Sequence, residues 1–413
     1  MIGDNMKILI VCEHASNVFG GEAMLPLNYF RLLAKNQHEV YLITHERVKT
    51  TILQIEDIDQ NNVFYVPDTI AHKILHKYSE RLPERIRVVT FGFLIHLITQ
   101  FYQWKLARKI VRLKKIDIIH EPAPVSAALP SAMFALNVPV VIGPMNGGMT
   151  FPAAFSEMAS RQEKFLYAAV RFFSSLYNLI IPGKLLATIL LVANQRTKES
   201  LPKFRFGKVI EMAENGAFST LEIPKVSSLK VNLNVLFVGR LVDWKALDIA
   251  IDAINNTKTD AKLKVLGDGP LRAELEAYAK EHAPNKIEFL GMVQHEKVNE
   301  YYDTADIFIL PSIRECGGAV VLEAMARGLP VIATSWGGPK DYITEETGFL
   351  VEPKSRHYMI DEFSRIIDAL SEHPDRRYQI GLAAINRIND QFLWDKKIEN
   401  ILKIYKNAIQ FKN

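Results

Sequence analysis

Residues 305–339 read ADIFILPSIRECGGAVVLEAMARGLPVIATSWGGP and predict a strand, a loop, a helix and a second strand. The apolar run IFIL is closed by a proline, which is typical of a buried parallel strand. The segment AVVLEAMAR is rich in helix formers, and Gly328 follows where a helix cap is expected. Gly317 and Gly318 separate the strand from the helix. Free backbone amides at such a position can attract anionic oxygen.

Two carboxylates flank this glycine pair. Glu315 precedes the predicted helix and Glu323 lies inside it. No cluster of His or Cys accompanies them, so we expect no metal here. Carboxylates accept hydrogen bonds from hydroxyl groups, which sugars and ribose supply in pairs. The alternative is an ordinary helix with one charge favoured near its N-terminus and another on its solvated face.

The spacing Glu315-x7-Glu323, followed by Ala-Met-Ala-x-Gly-x-Pro-Val-Ile-Ala, resembles the signature of the family-4 retaining glycosyltransferases. This resemblance implies an α/β protein with the GT-B fold, in which two Rossmann-like, doubly wound parallel-sheet domains face an interdomain cleft. Residues 1–222 would form the acceptor-side domain and residues 223–393 the nucleotide-sugar-binding domain. The helix 394–413 would cross back to the first domain.

Bulk properties agree with a two-domain soluble protein. The chain has 413 residues, 48% hydrophobic and 23% charged, which suits two domains of about 200 residues. Cys12 and Cys316 are far apart in sequence, so we expect no disulfide framework and a reducing compartment. The first apolar run, 8–11, has the length of a strand and not of a signal peptide. We therefore expect a cytoplasmic protein, with the inner face of the plasma membrane as a candidate location.

Two regions raise the question of membrane contact. The apolar region 165–193 is interrupted by Arg171, Pro182 and Lys184, so neither piece reaches the roughly 20 residues of a span. It predicts a helical hairpin that packs on the domain or rests on a bilayer. Residues 72–115 contain eleven Lys or Arg against two Glu, with interspersed aromatics, which favours an anionic membrane or an ordinary solvated helix face. We expect no nucleic acid partner, because no recognised binding module accompanies the charge.

Several candidate site residues lie in the first half. The turn at Gly20 and Gly21 follows the first predicted strand, and the resemblance assigns it to the donor diphosphate. His120 ends a predicted strand at a sheet rim, where open α/β folds bind ligands. It also resembles a family His that reaches the donor sugar; a His bonded to local backbone is the alternative. Asn146 and Gly147 are expected near the acceptor.

The pair Asp57 and Asp59 matches the Asp-x-Asp of metal-dependent glycosyltransferases. We set this match aside because it lies in a polar stretch and because the resembled family does not use it.

The second half supplies the expected donor contacts. Arg240 and Lys245 follow a predicted strand and could clamp a diphosphate. They resemble the family's Gly-Arg-Leu-x5-Lys pattern, although the spacing here is Arg-x4-Lys and Ala246 replaces the usual glycine. By resemblance, Glu323 would hold ribose and Glu315 a sugar hydroxyl. The remaining expected donor contacts are Met292, Val293, Gly317, Gly318 and Ala319.

These observations predict retaining transfer of a sugar from a nucleoside-diphosphate sugar to a hydroxyl, catalysed by His120, Glu315, Arg240 and Lys245 without metal or cofactor. A glycan or lipid-linked glycan of exopolysaccharide or lipopolysaccharide assembly is the expected acceptor. A GT-B nucleotide-sugar epimerase and a non-catalytic partner in a glycan-assembling complex remain alternatives. A dinucleotide oxidoreductase is disfavoured, because no Gly-x-Gly-x-x-Gly follows the first strand.

Overall fold

A computed structural model describes residues 5–18, 21–82, 86–87, 90–224 and 232–412. The chain divides into two compact units. The first comprises Met1–Gly148, Ser160–Glu214 and Lys397–Asn413, and the second comprises Met149–Ala159 and Asn215–Lys396. The division therefore lies at Glu214, eight residues before the end of the predicted first domain at 222. The short segment Met149–Ala159, which the sequence did not distinguish, belongs to the second unit.

The first unit is built on a seven-stranded parallel sheet with the order β3-β2-β1-β4-β5-β6-β7. Its strands are β1 (Lys7–Val11), β2 (Glu39–His45), β3 (Val63–Val66), β4 (Ile118–Glu121), β5 (Val140–Met145), β6 (Ile189–Val192) and β7 (Lys208–Glu211). The inner strands are continuous apolar runs because helices cover both faces of a parallel sheet. All of β4, β5 and β6 is buried.

Helices connect these strands. They are α1 (Gly21–Lys35), α2 (Lys49–Leu53), α3 (Ile70–Ser79), α4 (Phe91–Lys114), α5 (Arg161–Ile180), α6 (Gly183–Leu186) and α7 (Gln195–Glu199). Short 3-10 turns lie at Glu46–Val48 and Gln60–Asn62. Both α3 and α5 begin with a capping box, in which a hydroxyl and the side chain three residues later bond each other's backbone amides.

The second unit is built on a six-stranded parallel sheet with the order β10-β9-β8-β11-β12-β13. Its strands are β8 (Asn232–Val238), β9 (Asp260–Leu266), β10 (Ile287–Gly291), β11 (Ile307–Leu310), β12 (Val331–Thr334) and β13 (Gly348–Val351). The order reverses between β8 and β11, which creates the crevice where open α/β sheets bind ligands.

The helices of the second unit are α8 (Leu247–Asn256), α9 (Arg272–His282), α10 (His295–Thr304), α11 (Ala319–Ala326), α12 (Gly338–Tyr342), α13 (Arg356–Glu372) and α14 (Pro374–Arg387). Tighter or wider turns lie at Ala153–Met158, Asp243–Lys245 and Ile388–Phe392. The last helix, α15 (Trp394–Lys412), starts at the end of this unit and supplies the C-terminal element of the first.

The predicted α/β fold with two Rossmann-like parallel-sheet domains is confirmed. The stretch at 305–339 forms the expected strand β11, helix α11 and strand β12, and every residue of β11 is buried. Among the described residues, no helix combines the length and the hydropathy needed to cross a membrane. Residues 225–231, near the start of the predicted second domain, lie outside the described residues.

Candidate active site

Glycine loops follow the strands of the second sheet at its carboxyl edge. They contain Gly239 after β8, Gly267 and Gly269 after β9, Gly291 in β10, Gly317 and Gly318 after β11, and Gly337 and Gly338 after β12. A Cβ on Gly267 would lie 1.9 Å from the carbonyl oxygen of Gly239, so the first two loops touch backbone to backbone. The carboxyl ends of parallel strands thus present a surface made mainly of main-chain atoms.

The loops after β11 and β12 hold each other in place. Gly338 N–H donates to the carbonyl oxygen of Glu315 at 2.8 Å. A Cβ on Gly337 would lie 2.0 Å from the same oxygen, and one on Gly338 would lie 2.2 Å from the carbonyl oxygen of Gly317. Gly337 also has a φ of +74°, which favours glycine. The backbone of Glu315 is therefore fixed by two glycines from the neighbouring loop.

Lys245 and Glu315 form an ion pair at this edge. The Lys245 Nζ donates to a Glu315 carboxylate oxygen, and both side chains are only 14% exposed. Ile313 N–H donates to the carbonyl oxygen of Trp244 at 3.0 Å, which ties the loop after β11 to the loop after β8. The sequence predicted separate roles for Lys245 and Glu315, and the structure brings their charges together.

Ala246 stands where the resembled family pattern has glycine. It adopts a left-handed conformation with φ 51° and ψ 42° where the 3-10 turn Asp243–Lys245 meets α8. Glycine has no Cβ penalty in that conformation, which is a physical reason for the glycine usual at this position. Arg240 is exposed on the same loop and follows Gly239 directly.

Glu323 is held by a residue that the sequence analysis did not select. The hydroxyl of Tyr302, on α10, donates to a Glu323 carboxylate oxygen at 3.0 Å. Tyr302 is fully buried, and its pKa is raised well above the ordinary value by burial and by the Glu323 charge. The bond therefore keeps Tyr302 as the donor and Glu323 as the acceptor. A lone tyrosine in a helix gives no signal of this role in the sequence.

The other predicted donor contacts lie at the end of β10 and at the start of α11. Helix α11 begins at Ala319, directly after Gly318, whose φ is +68°. The first amides of a helix have no partner within it, so they can bind an anion at this end. Met292 is 78% exposed and Val293 half-buried just beyond the end of β10. Gly317 is buried between the two loops.

His120 is buried and has a partner at each ring nitrogen, and its catalytic role remains a prediction. The ring is fully buried, its Nε2 donates to the Gly143 carbonyl at 2.5 Å, and the Tyr405 hydroxyl donates to its Nδ1 at 2.6 Å. Burial lowers the His120 pKa to about 4; the Lys397 charge acts in the same direction and the bond to Gly143 opposes it. Both ring nitrogens are thus used within the first unit, and the imidazole stays neutral.

The predicted acceptor contacts are also committed to internal bonds. Asn146 is buried; its Nδ2 donates to Glu214 at 2.8 Å and its Oδ1 accepts from Arg196 at 2.9 Å. Arg196 Nε donates to the Gly147 carbonyl at 3.0 Å, and Gly147 N–H donates to Thr197 Oγ1 at 3.1 Å. This network orders the loop after β5. Contact of Asn146 or Gly147 with an acceptor remains a prediction.

The predicted glycine turn after β1 is only partly described. Gly20 lies outside the described residues. Gly21 begins α1, and a Cβ built on it would meet nothing within 4 Å. The space beside Gly21 is therefore open.

His45, Asp68 and His72 offer ligand atoms that all lie within 4.8 Å of one another, as a metal site requires. Protein groups already satisfy them, however. Arg47 lies 3.4 Å from His45 Nε2 and 3.8 Å from the Asp68 carboxylate. His72 accepts from Thr69 N–H at 3.2 Å and contacts the hydroxyl of Thr99 at 3.1 Å. A guanidinium at the centre of the group opposes a second cation.

The acidic pair that was set aside also has protein partners. Asp57 accepts from Arg31 at 2.6 Å, and Asp59 accepts from Asn61 N–H at 3.0 Å in the cap of a 3-10 turn. Both carboxylates thus have local structural bonds.

Residues 221–387 match the family model Glycosyl transferases group 1. Sulfoquinovosyl transferase SQD2 from Arabidopsis thaliana is 27% identical over 328 residues, which cover 72% of this chain and 61% of that protein. The GDP-mannose-dependent monoacylated alpha-(1-6)-phosphatidylinositol monomannoside mannosyltransferase of Corynebacterium glutamicum is 30% identical over 178 residues, which cover 40% of this chain and 45% of that protein. The chain thus spans about half the length of these relatives.

Solved structures share the fold over nearly the whole chain. Sucrose-phosphate synthase from Thermosynechococcus elongatus has a TM-score of 0.66 at 18% identity and covers 98% of this chain and 100% of its own. Anabaena HepE, solved in complex with UDP and glucose, has a TM-score of 0.62 at 17% identity with the same coverage. At such identities the likeness concerns the fold. Residues 221–387 therefore carry a glycosyl transferases group 1 domain within an α/β fold of the GT-B type.

Proposed function

We propose that this chain is a retaining, metal-independent glycosyltransferase that moves a sugar from a nucleoside-diphosphate sugar to a hydroxyl acceptor. The observation that carries the proposal is the Lys245–Glu315 pair, held by interlocked glycine loops at the carboxyl edge of the second sheet. The matched family region contains both residues. Relatives support the donor class, since HepE was solved with UDP and glucose and the mannosyltransferase is named for GDP-mannose.

The diphosphate would be bound by cations and backbone amides. Negative charge grows on the leaving phosphate as the bond to the anomeric carbon breaks, and preorganised positive groups there lower the barrier most. Lys245 supplies a point charge and Arg240 a planar fork. The first amides of α11, beginning at Ala319, supply uncharged donors. Because the glycine loops are fixed before the donor arrives, these groups need little reorganisation.

The two glutamates would orient hydroxyl groups on either side of the diphosphate. Glu323, whose carboxylate accepts from Tyr302, would accept from the ribose hydroxyls. Glu315 would accept from a hydroxyl of the transferred sugar and so position the anomeric carbon. Glu315 is paired with Lys245, the cation that would bind the phosphate. It would therefore act as an orienting anion and not as an isolated nucleophile.

Retention would follow from attack on the face that the diphosphate leaves. The bond from the anomeric carbon to the phosphate oxygen breaks, and the bond to the acceptor oxygen forms on the same side. The acceptor proton passes to an oxygen of the departing diphosphate, so no protein base and no metal ion are needed. This assigns no step to His120, whose ring nitrogens are both engaged.

The acceptor would be a glycan or a lipid-linked glycan of exopolysaccharide or lipopolysaccharide assembly, on the cytoplasmic side. The Corynebacterium relative is named for a phosphatidylinositol monomannoside, which is a lipid. That name supports a lipid-linked acceptor.

Differential scanning fluorimetry with UDP, GDP, ADP and TDP and their sugars tests the donor site. We expect one base to raise the Tm selectively. Lys245→Gln combined with Arg240→Gln should abolish that shift, whereas Lys262→Gln on the exposed side of β9 should keep it. The anomeric configuration of the product, read from its NMR coupling constant, tests retention. No shift with any nucleotide, or an inverted product, would contradict the proposal.

A further inference from the structure

Helix α5 presents an apolar side to solvent. Phe165, Phe172 and Leu176 lie within about 40° of one another around the helix axis and are 77%, 79% and 54% exposed. Among the α5 side chains that the structure describes, the large apolar ones that are at least half exposed are Phe165, Phe172, Phe173, Leu176, Leu179 and Ile180. All six fall on one side of the helix, which we call the apolar stripe.

Two of the α5 side chains that the structure describes as buried are polar. They are Ser174 and Asn178, and Asn178 Nδ2 donates to the Ala128 carbonyl at 3.2 Å. Tyr177 packs its ring 5.2 Å from Phe93 of α4. A surface helix of a soluble protein normally turns its apolar stripe towards the core. The described side chains of α5 have the opposite orientation.

More exposed apolar side chains lie at α6 and beside it. Leu186, at the end of the short helix α6, is half exposed. Phe206 N–H donates to the Leu185 carbonyl at 3.0 Å, which places residues 203–208 beside α6. Phe204 and Phe206 are 66% and 82% exposed. We call the six α5 residues, Leu186, Phe204 and Phe206 together the apolar face.

Cations border the apolar face. Lys203, Arg205 and Lys208 alternate with the two phenylalanines, and the segment 203–208 contains no acidic residue. Arg161 and Lys164 are exposed in the first turn of α5. Aromatic side chains next to lysine and arginine suit the boundary of an anionic bilayer, where rings enter the acyl region and cations meet the headgroups.

We propose that the apolar face docks this protein onto an anionic lipid bilayer. The charge pattern favours a lipid surface over a second copy of the chain, since a symmetric dimer through this face would gather the cations of both copies at one interface. Nine large apolar side chains exposed on two neighbouring helices and one adjoining segment are unusual on a soluble monomer unless they serve binding. Docking is independent of the donor chemistry, because the apolar face involves none of the donor residues.

The basic stretch 72–115, for which the sequence left a membrane and a solvated helix face open, differs from the apolar face in where its aromatic side chains lie. On α4 the Lys105 ammonium lies 4.7 Å from the Phe101 ring, and the Arg108 guanidinium lies 5.4 Å from the Trp104 ring. Trp104 Nε1 donates to the Phe134 carbonyl at 3.1 Å. These aromatics are paired with cations of the same helix or with the core, so α4 behaves as a solvated helix face.

Co-sedimentation with vesicles, without nucleotide, tests the proposal. Wild type should bind anionic vesicles that contain phosphatidylglycerol more tightly than neutral vesicles of phosphatidylcholine alone. Its binding to the anionic vesicles should weaken at high salt. Phe165→Ser, Phe172→Ser and Leu176→Ser together should weaken binding at least ~10-fold, because three large apolar contacts are lost. Lys203→Gln with Lys208→Gln should weaken binding about 30-fold on anionic vesicles only, because two cations near the lipid surface are lost.

The matched control is Ile70→Ser, Phe101→Ser and Leu113→Ser, three exposed apolar residues of α3 and α4. This variant should bind as wild type does, and thermal melting should show that both triple variants remain folded. Wild type that binds neither vesicle, an α5 variant that binds normally, or loss of binding in the control variant would each overturn the proposal. So would a dimer in sedimentation equilibrium that the α5 variant dissociates.

Discussion

The side chains with the clearest functional geometry are oriented by another residue. Glu315 is paired with Lys245, 70 residues away in sequence, and Glu323 accepts from the buried hydroxyl of Tyr302. A carboxylate that is already oriented loses less conformational freedom when it accepts a ligand hydroxyl. Tyr302 is therefore a positioning residue whose effect should appear in nucleotide binding.

Tyr302→Phe should weaken binding of the preferred nucleoside diphosphate about 3- to 10-fold. The variant removes one hydrogen bond to a charged group and leaves the ring packing intact. Isothermal titration calorimetry measures the effect, and Tyr301→Phe on the same helix is the matched control. The loss should vanish for the 2′,3′-dideoxy nucleotide, which has no ribose hydroxyls for Glu323. An equal loss with both nucleotides would assign Tyr302 to general packing.

Glu13 should stabilise the protein at neutral pH and lose that effect in acid. Burial opposes its charge, but the His96 hydrogen bond and the charges of His14, His96 and Arg47 outweigh burial and lower its pKa to about 2. A carboxyl whose pKa falls on folding stabilises the native state above its unfolded pKa, and the contribution disappears as pH drops to about 2. Glu13→Gln should therefore lower the free energy of unfolding by up to about 3 kcal/mol at pH 6.

Urea unfolding at pH 6, 4 and 2.5 measures this difference. The gap between wild type and Glu13→Gln should narrow towards pH 2.5, while Glu346→Gln at an exposed position should track wild type throughout. A gap that stays constant with pH would mean that shape, and not charge, sets the effect.

Among the elements, the glycine loops of the second sheet determine the site because their backbones leave no room for side chains. The strand, loop and helix at 305–339 were predictable, since apolar runs, a glycine pair and helix formers are local signals. Contacts between loops were not predictable, because they join residues far apart in sequence. The orientation of α5 was also beyond prediction, since periodicity shows that a helix has two sides and not which one faces solvent.

Gly337→Ala should destabilise the second unit by at least about 2 kcal/mol. Its Cβ would collide with the Glu315 carbonyl 2.0 Å away, and its φ of +74° is strained for alanine. Thermal unfolding measures the loss. Gly92→Ala is the control, because its Cβ would meet only the Arg87 carbonyl at an ordinary 3.7 Å inside helix α4. That change should be neutral or stabilising by up to about 1 kcal/mol.

At the scale of the whole molecule, the donor residues and the apolar face belong to different units. Glu315, Lys245 and Glu323 lie in the second unit, whereas α5 lies in the first. His120 and Asn146 show what sequence reasoning leaves out at this scale. Both stand at strand ends, where ligands often bind, but the surrounding unit buries them and uses their hydrogen-bonding groups.

Hydrogen exchange should distinguish the two functions. Adding the preferred nucleoside diphosphate should slow amide exchange most in the loops around Lys245, Glu315 and Gly337. Adding anionic vesicles should instead slow exchange in α5, at Arg161–Ile180, and leave those loops unchanged. Mass spectrometry of peptic peptides resolves both regions. If the nucleotide slowed amide exchange only in α5, the assignment of donor binding to the second unit would be contradicted.

The return of α15 has a consequence for biosynthesis. Residues up to Lys396 contain every part of the second unit, but the first unit also needs Lys397–Asn413. The Lys397 ammonium donates to the backbone carbonyl of Glu214, and the Tyr405 hydroxyl bonds His120, so this late segment fills positions inside the first unit. During translation, the first unit cannot be completed until the residues of α15 have left the ribosome, whereas the second unit can be completed once Lys396 has left it.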